Sequence, residues 1–359
     1  MAQAIVPRLG WLFVPQDAYG WPMVSTSEIA TPSGAPAMLA IEAERAGGPE
    51  VLTAVHVPVP APGPGEVLIW HHAIGVNFID TYHRSGLYPA PLPTTLGQEA
   101  SGVVKAVGPG VTRFGVGDRV AYAGRMGAYA QANLVPEDRI VDLPDGVSFE
   151  VAAAALLKGM TAEFLVRRCR PIKAGETILV HAAAGGVGAI LVQWAKTLGA
   201  TVIATVGSAH KAAMVRSLGC DLVILYRQED VAARVREITR GAGVAAAYDG
   251  VGKDTFEGTL ASLGRRGTFV SFGNASGPAP AVEPLRLSRA GSLFFTRPTL
   301  FDYIATPQEL RQSAGALFSE IAAGRLRIEI GQRFPLAEAR RAHEALESRA
   351  TSGATLLIP

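Results

Sequence analysis

From Thr177 onward the chain alternates short apolar runs with helix-patterned segments, and this alternation limits the fold more than any other feature. Residues 177–181, 201–206, 221–226, 245–249 and 267–272 read as strands, the last closing the series. Between them, residues 187–198, 208–218, 228–239 and 255–263 read as helices, with Gly199, Gly219 and Gly264 as stop signals for three of them. Strands joined by helices of this length pair as parallel neighbours through crossover connections, so a doubly wound α/β sheet is expected.

The flanking regions have a different texture. Between residues 39 and 141, short apolar runs at 67–70, 102–108 and 118–122 sit between glycines and prolines. Short strands at close spacing predict a barrel-like β unit. Past Thr296 come a helix at 308–323, a strand near 327–330, a helix at 336–349 and a final strand at 354–358. That last strand needs a sheet, so the C-terminal segment is expected to return to the first unit. The expected organisation is a poorly ordered extension at 1–37, a barrel unit from 38–160 and 296–359, and a nucleotide unit at 161–295. Residues 1–37 hold five prolines and a single basic residue, Arg8, which suits neither a secretory nor a transit peptide, and Met38 is a candidate start.

Composition excludes several classes. With 48% hydrophobic residues the chain is not disordered, and 33 basic against 31 acidic residues leave a net charge of +2. So small a charge argues against a dedicated binder of nucleic acid or anionic membrane. The longest uncharged window, 177–195, contains three glycines and breaks into strand, turn and helix rather than a membrane span. Two cysteines, Cys169 and Cys220, cannot build a disulfide framework or a cysteine zinc lobe, and a reducing cytoplasm is the default setting. Both thiols read as inert, and His181, on a buried strand, reads as a structural histidine.

The turn Ala182-Ala183-Ala184-Gly185-Gly186-Val187-Gly188 follows a strand and opens a helix, the context in which a glycine-rich turn binds a dinucleotide. Gly185 and Gly186 let backbone approach a pyrophosphate, Gly188 lets helix and strand pack closely, and the helix N-terminus offers N–H donors. Ala183 stands where the first glycine of the usual pattern falls. The second strand ends Val206-Gly207-Ser208-Ala209-His210-Lys211, without the acidic residue that binds the ribose hydroxyls of NAD. Gly207 leaves room, while Lys211, Ser208 and Tyr226 offer a cation and hydroxyls to a 2′-phosphate, so NADPH is the expected cofactor. Alone, Lys211 is equally a solvated helix residue.

Gly97-Gln98-Glu99-Ala100-Ser101-Gly102 has the spacing of the zinc alcohol dehydrogenase signature, but Gln98 replaces its histidine and Asn77 replaces its cysteine ligand. No metal site is therefore expected. With the segments 77–88, 182–188, 271–277 and 347–353, these features make the chain resemble zinc-independent medium-chain dehydrogenase/reductases, specifically NADPH:quinone oxidoreductases of the zeta-crystallin group. The resemblance covers residues 39–359. It implies a Rossmann sheet inserted in a GroES-like barrel-containing catalytic domain, with the active cleft between them. It further implies that Asn77, Tyr82 and Tyr88 line the reaction pocket. The cofactor would meet Phe78, Thr161, Gly185, Gly186, Val187, Gly207, Ser208, Lys211, Tyr226, Phe272, Gly273, Asn274, Phe295, Thr296, Arg297 and Arg349. His83 and Phe164 depart from the residues usual in such relatives.

Plainer readings stand beside these. Tyr82 and Tyr88 suit a core, Asn77 a turn cap, and Arg349 a helix end. The implied activity is hydride or single-electron delivery from NADPH to a small quinone, with a homodimer as the working unit. Reduction of an enal or enone double bond is the alternative reaction, and a non-catalytic NADPH-binding role is the alternative class.

Overall fold

The computed structural model describes residues 36–359, so the expected N-terminal extension lies outside the described residues except at Pro36 and Ala37, where Ala37 already opens the strand Ala37–Ala43. Six parallel strands form the expected sheet: Thr177–Val180, Thr201–Val206, Leu222–Leu225, Val244–Asp249, Leu263–Ser271 and Phe294–Thr296. Numbered along the chain, their spatial order is 3-2-1-4-5-6. Strand order reverses between Thr177–Val180 and Val244–Asp249, and a crevice opens there beyond their carboxyl ends. The β unit is a seven-stranded sheet built round Glu66–Val76, which pairs with Glu99–Val107, Ala132–Pro136 and the C-terminal Ala354–Ile358. The chain end does return to the first unit.

Four helices position the site. Helix α1 (Phe78–Ser85) and helix α2 (Phe149–Phe164) precede the parallel sheet, and helix α3 (Gly186–Thr197) and helix α4 (Ala209–Ser217) follow its first two strands. Helix α2 is buried on every side from Ala152 to Phe164 and packs against α3 and against the strand Glu66–Val76. Its Ser148 cap accepts a hydrogen bond from Val151 N at 3.2 Å.

Three expectations need correction. The parallel series does not close at residue 272, because Phe294–Thr296 adds a sixth strand too short to show a period. Gly264 is no helix stop: the preceding helix ends at Ser262, Leu263 is already extended, and a Cβ on Gly264 would lie 2.6 Å from Ala242 O. Close approach to that carbonyl, rather than a left-handed turn, calls for glycine. The strand expected near 327–330 runs instead from Ile330 to Pro335, where it pairs in parallel with Ala354–Ile358; Ile328 packs into the core short of it.

A buried polar network ties α1 to the C-terminal helix Ala339–Glu347. Arg84 donates to both Glu347 oxygens at 2.9 and 2.8 Å and to His343 Nδ1 at 3.0 Å. With Nδ1 accepting, His343 Nε2–H donates to Tyr129 Oη at 2.9 Å, and Tyr129 donates to Asp80 Oδ2 at 2.9 Å. Burial lowers the His343 pKa to about 3, consistent with a neutral ring. Asp80 Oδ1 has no partner, and burial raises the Asp80 pKa to about 7. A carboxyl raised on folding stabilises the fold below its unfolded pKa, and that contribution is lost as pH rises through the folded value. Asp80→Asn should therefore gain stability relative to wild type as pH increases from 4 to 8, measured by urea unfolding at each pH.

Candidate active site

A cavity of about 1220 Å³ opens along the carboxyl edge of the parallel sheet, between it and the β unit. Its walls come from the turn after each strand, and the sequence explains how each is held.

At one wall, Asn77 starts α1, its backbone N–H donating to Asp80 Oδ2 at 2.8 Å. Its side-chain amide donates to Glu99 Oε2 at 2.8 Å and to Gly75 O at 3.3 Å. Gly86, with φ of 80°, ends the helix in the left-handed region and turns the chain back, so that Tyr88 N donates to Tyr82 O at 3.0 Å. The Tyr82 and Tyr88 rings then meet edge to face, centroids 5.2 Å apart. His83 adds its ring to Tyr88 at 5.7 Å.

The loops after the fifth and sixth parallel strands face these phenols. Asn274 N donates to Tyr82 Oη at 2.8 Å, and Asn274 Nδ2 and Arg297 Nη2 each donate to Tyr88 Oη at 3.1 Å. Because Tyr82 Oη accepts from a backbone N–H, its own proton remains for another partner. Burial raises its pKa to about 12, so it stays a phenol at neutral pH. Asp249 secures the adjoining wall, its Oδ1 accepting from Val251 N and Gly252 N and its Oδ2 from Thr255 Oγ1.

The glycine-rich turn lies at the switch point. Ala182 takes φ of 48°, and a Cβ on Gly188 would lie 2.4 Å from Ala182 O, so strand and helix can meet this closely only at glycine. The first-turn N–H groups of α3 have no carbonyl one turn earlier, and Gly186, Val187 and Gly188 line the cavity. His181 lines the same region, but Thr205 Oγ1 and Thr259 Oγ1 hold its two ring nitrogens at 3.0 and 2.9 Å, a structural histidine.

Cations gather beyond the second and third strands. Lys211 Nζ donates to Arg349 O at 2.8 Å, Arg349 Nη2 donates to Asp254 Oδ2 at 2.9 Å, and the Tyr226 hydroxyl bonds Arg349 as well. Burial, and then Arg227, lowers the Lys211 pKa. An anion here would relieve that crowding. Gly207 keeps the space open, since its Cβ would lie 2.7 Å from Tyr226 Oη. Backbone donors at the turn together with cations and a hydroxyl beyond it fit the phosphates of NADPH.

Of the residues singled out from sequence, Asn77, Phe78, Tyr82, Tyr88, Thr161, Gly185, Gly186, Val187, Gly207, Lys211, Tyr226, Phe272, Gly273, Asn274, Phe295, Arg297 and Arg349 line this cavity. Ser208 and Thr296 do not. Ser208 caps α4, accepting from Lys211 N at 3.3 Å, and Thr296 bonds the Cys169 side chain. Sequence reasoning passed over Arg227, Lys158 and Phe301; only Arg227, next to Tyr226 at a strand end, carried a local signal. Phe164 lines the cavity and stacks on Tyr303 at 4.3 Å. Asn77 and Gln98 present neutral amides, and among the described residues no three His, Cys, Asp or Glu side chains gather to hold a metal.

Residues 63–145 match the alcohol dehydrogenase GroES-like domain family, and residues 186–320 match the zinc-binding dehydrogenase family. The chain is 54% identical to a quinone oxidoreductase of Pseudomonas aeruginosa over 315 residues, 87% of this chain and 97% of that protein. A 2-haloacrylate reductase of a Burkholderia species is 43% identical over 90% of this chain and 99% of its own. The crystal structure of Escherichia coli quinone oxidoreductase complexed with NADPH superposes with a TM-score of 0.87 at 50% identity, covering 89% of this chain and all of that one. Fold and site thus define a medium-chain dehydrogenase/reductase. Within that class, the chain belongs to the zinc-independent quinone oxidoreductase family.

The tight turn gives a direct test. Gly188→Ala should lower the unfolding free energy by about 1–3 kcal/mol, the cost of overpacking a close contact, read from denaturant unfolding against wild type.

Proposed function

We propose that this enzyme is an NADPH-dependent quinone reductase working in the cleft between its barrel and nucleotide units, without zinc. The observation that carries the reading is the placement of two features along one crevice. The cation cluster follows the second and third parallel strands, while the phenols Tyr82 and Tyr88 meet the loops after the fifth and sixth. A dinucleotide laid across the switch point spans that separation.

When bound, NADPH supplies a hydride. Lys211, Tyr226 and Arg349 hold its 2′-phosphate, and the first turn of α3 receives the pyrophosphate. Phe78, Phe272 and Phe301 line the cleft and keep water from the reacting face. Tyr82 donates its free O–H to the acceptor oxygen that gains charge, and Asn77 orients the acceptor from the same wall. A reduced quinone delocalises its charge over the ring, which makes a strong acid or a metal unnecessary. Ser208 and Thr296 serve from behind, as cap and as packing.

We assign residues 38–160 and 296–359 to the barrel unit and 161–295 to the nucleotide unit. Supporting this, the C-terminal strand pairs with Glu66–Val76; the first boundary falls within the continuous helix α2, and the second falls at Thr296, the last residue of the sixth parallel strand. A homodimer is part of the proposal: Phe294–Thr296 is an edge strand with Phe294 61% exposed, and such an edge is covered by pairing with its own copy. Two free thiols support a cytoplasmic setting. No helix among the described residues is long and apolar enough to cross a membrane.

NADPH and NADH oxidation should be followed against 1,4-benzoquinone, 9,10-phenanthrenequinone and an enone, with and without chelator. Chelator-insensitive, NADPH-preferring quinone turnover is expected. Lys211→Ala should raise KM for NADPH about 10–100-fold, the loss of one charge-assisted contact, and leave NADH nearly unchanged. Tyr82→Phe should lower kcat by about 100-fold with KM for NADPH unaltered. Turnover of the enone alone would move the assignment to double-bond reduction, the second reading, which the haloacrylate-reducing relative favours. Tight NADPH binding without turnover would leave a binding protein. Light scattering should give twice the chain mass for wild type and the single-chain mass for Phe294→Asp.

A further inference from the structure

Lys158 is the one lysine the reading above leaves without a role although it lines the cavity. It sits on α2 and is 4% exposed. Its Nζ donates to Glu99 Oε2 at 2.8 Å, and among the described residues no other acceptor takes its two remaining N–H bonds. Glu99, fully buried, has both oxygens engaged, Oε1 by Leu157 N at 2.6 Å and Oε2 by Asn77 and Lys158. The pair thus presents donors to the cavity and no free acceptor.

The lysine stem fixes where those donors lie. It crosses directly over Gly186, the first residue of α3, where a Cβ would come 2.7 Å from Lys158 Cδ and 3.0 Å from Cε. The ammonium is therefore stationed where the phosphate turn meets Asn77. Stability alone does not call for a lysine there, since a buried ion pair is often replaceable by apolar side chains without loss. A charge kept at that junction, with N–H bonds to spare, calls for an oxygen-bearing ligand.

Resting on the cofactor assignment above, we propose that Lys158 is a cofactor-binding residue: its ammonium donates to an oxygen on the nicotinamide side of NADPH. Two oxygens of that half share the required chemistry, a pyrophosphate oxygen and a ribose hydroxyl. Lys211 and Lys158 then grip opposite halves of one ligand.

Binding isotherms, by calorimetry without acceptor, test this on Lys158→Met, which preserves the stem over Gly186. Because that change leaves the Glu99 charge buried and unpaired, the neutral double variant Lys158→Met/Glu99→Gln is measured beside it. The probes are NADPH, adenosine 2′,5′-bisphosphate, 2′-phospho-ADP and 2′-phospho-ADP-ribose. Both variants should bind NADPH about 10–100-fold more weakly and adenosine 2′,5′-bisphosphate as wild type does. Lys211→Ala should weaken both ligands. A loss already present with 2′-phospho-ADP identifies the pyrophosphate oxygen, and one appearing only with 2′-phospho-ADP-ribose identifies the ribose. Unchanged NADPH affinity in the double variant, or an equal loss for all four probes, would overturn the assignment while leaving the cofactor reading intact. Wild type binding none of the probes would overturn both.

Discussion

Glu99 holds the two halves of the site to one point. A carboxylate removed entirely from water is costly unless every lone pair is met, and here the donors come from the Leu157 backbone midway along α2, from the Lys158 side chain one residue further along it and from Asn77, which starts α1. Gly75 has to be glycine for the same reason, because its Cβ would lie 2.3 Å from Glu99 Oε2. Through this one group, the barrel strand Glu99–Val107 sets both the wall carrying Asn77 and the helix on which the phosphate turn rests.

Much of the architecture was legible because it is local. Apolar runs of strand length separated by helix-length segments specify crossovers, and the stretch after Thr177 shows this in five strands of six. The turn at Gly185–Gly188 was legible for the same reason, since a tight turn between strand and helix is written in consecutive residues. Helix α2 escaped notice because it is buried all round and so lacks an amphipathic stripe. Phe294–Thr296 is too short to have a period at all.

The site was legible in outline and opaque in its supports. Most of the residues picked out sit together along the cavity wall, yet Ser208 faces its own helix and Thr296 faces Cys169, because side chains within one lining segment point in different directions. The groups that fix the geometry pair across long stretches of chain: Arg84 with Glu347, Tyr129 with His343, Glu99 with Lys158. No window of sequence contains both members of such a pair, so no periodicity or motif announces them. Arg84 and His343 look like ordinary surface residues until folding buries them together.

The hydrogen bonds from Asn274 and Arg297 to the two phenols carry a consequence for turnover. On the role proposed for Tyr82, the groups that lace the cleft walls together are also those that aim the phenol, so admitting a bulky molecule between those walls means breaking the contacts that hold it. Access and alignment are thereby one degree of freedom rather than two. A substitution that loosens this seam to speed exchange also blurs the aim of the donor, and one that tightens it slows the passage of every molecule the enzyme handles. Flat acceptors, thin enough to slide in with the lacing intact, escape the compromise.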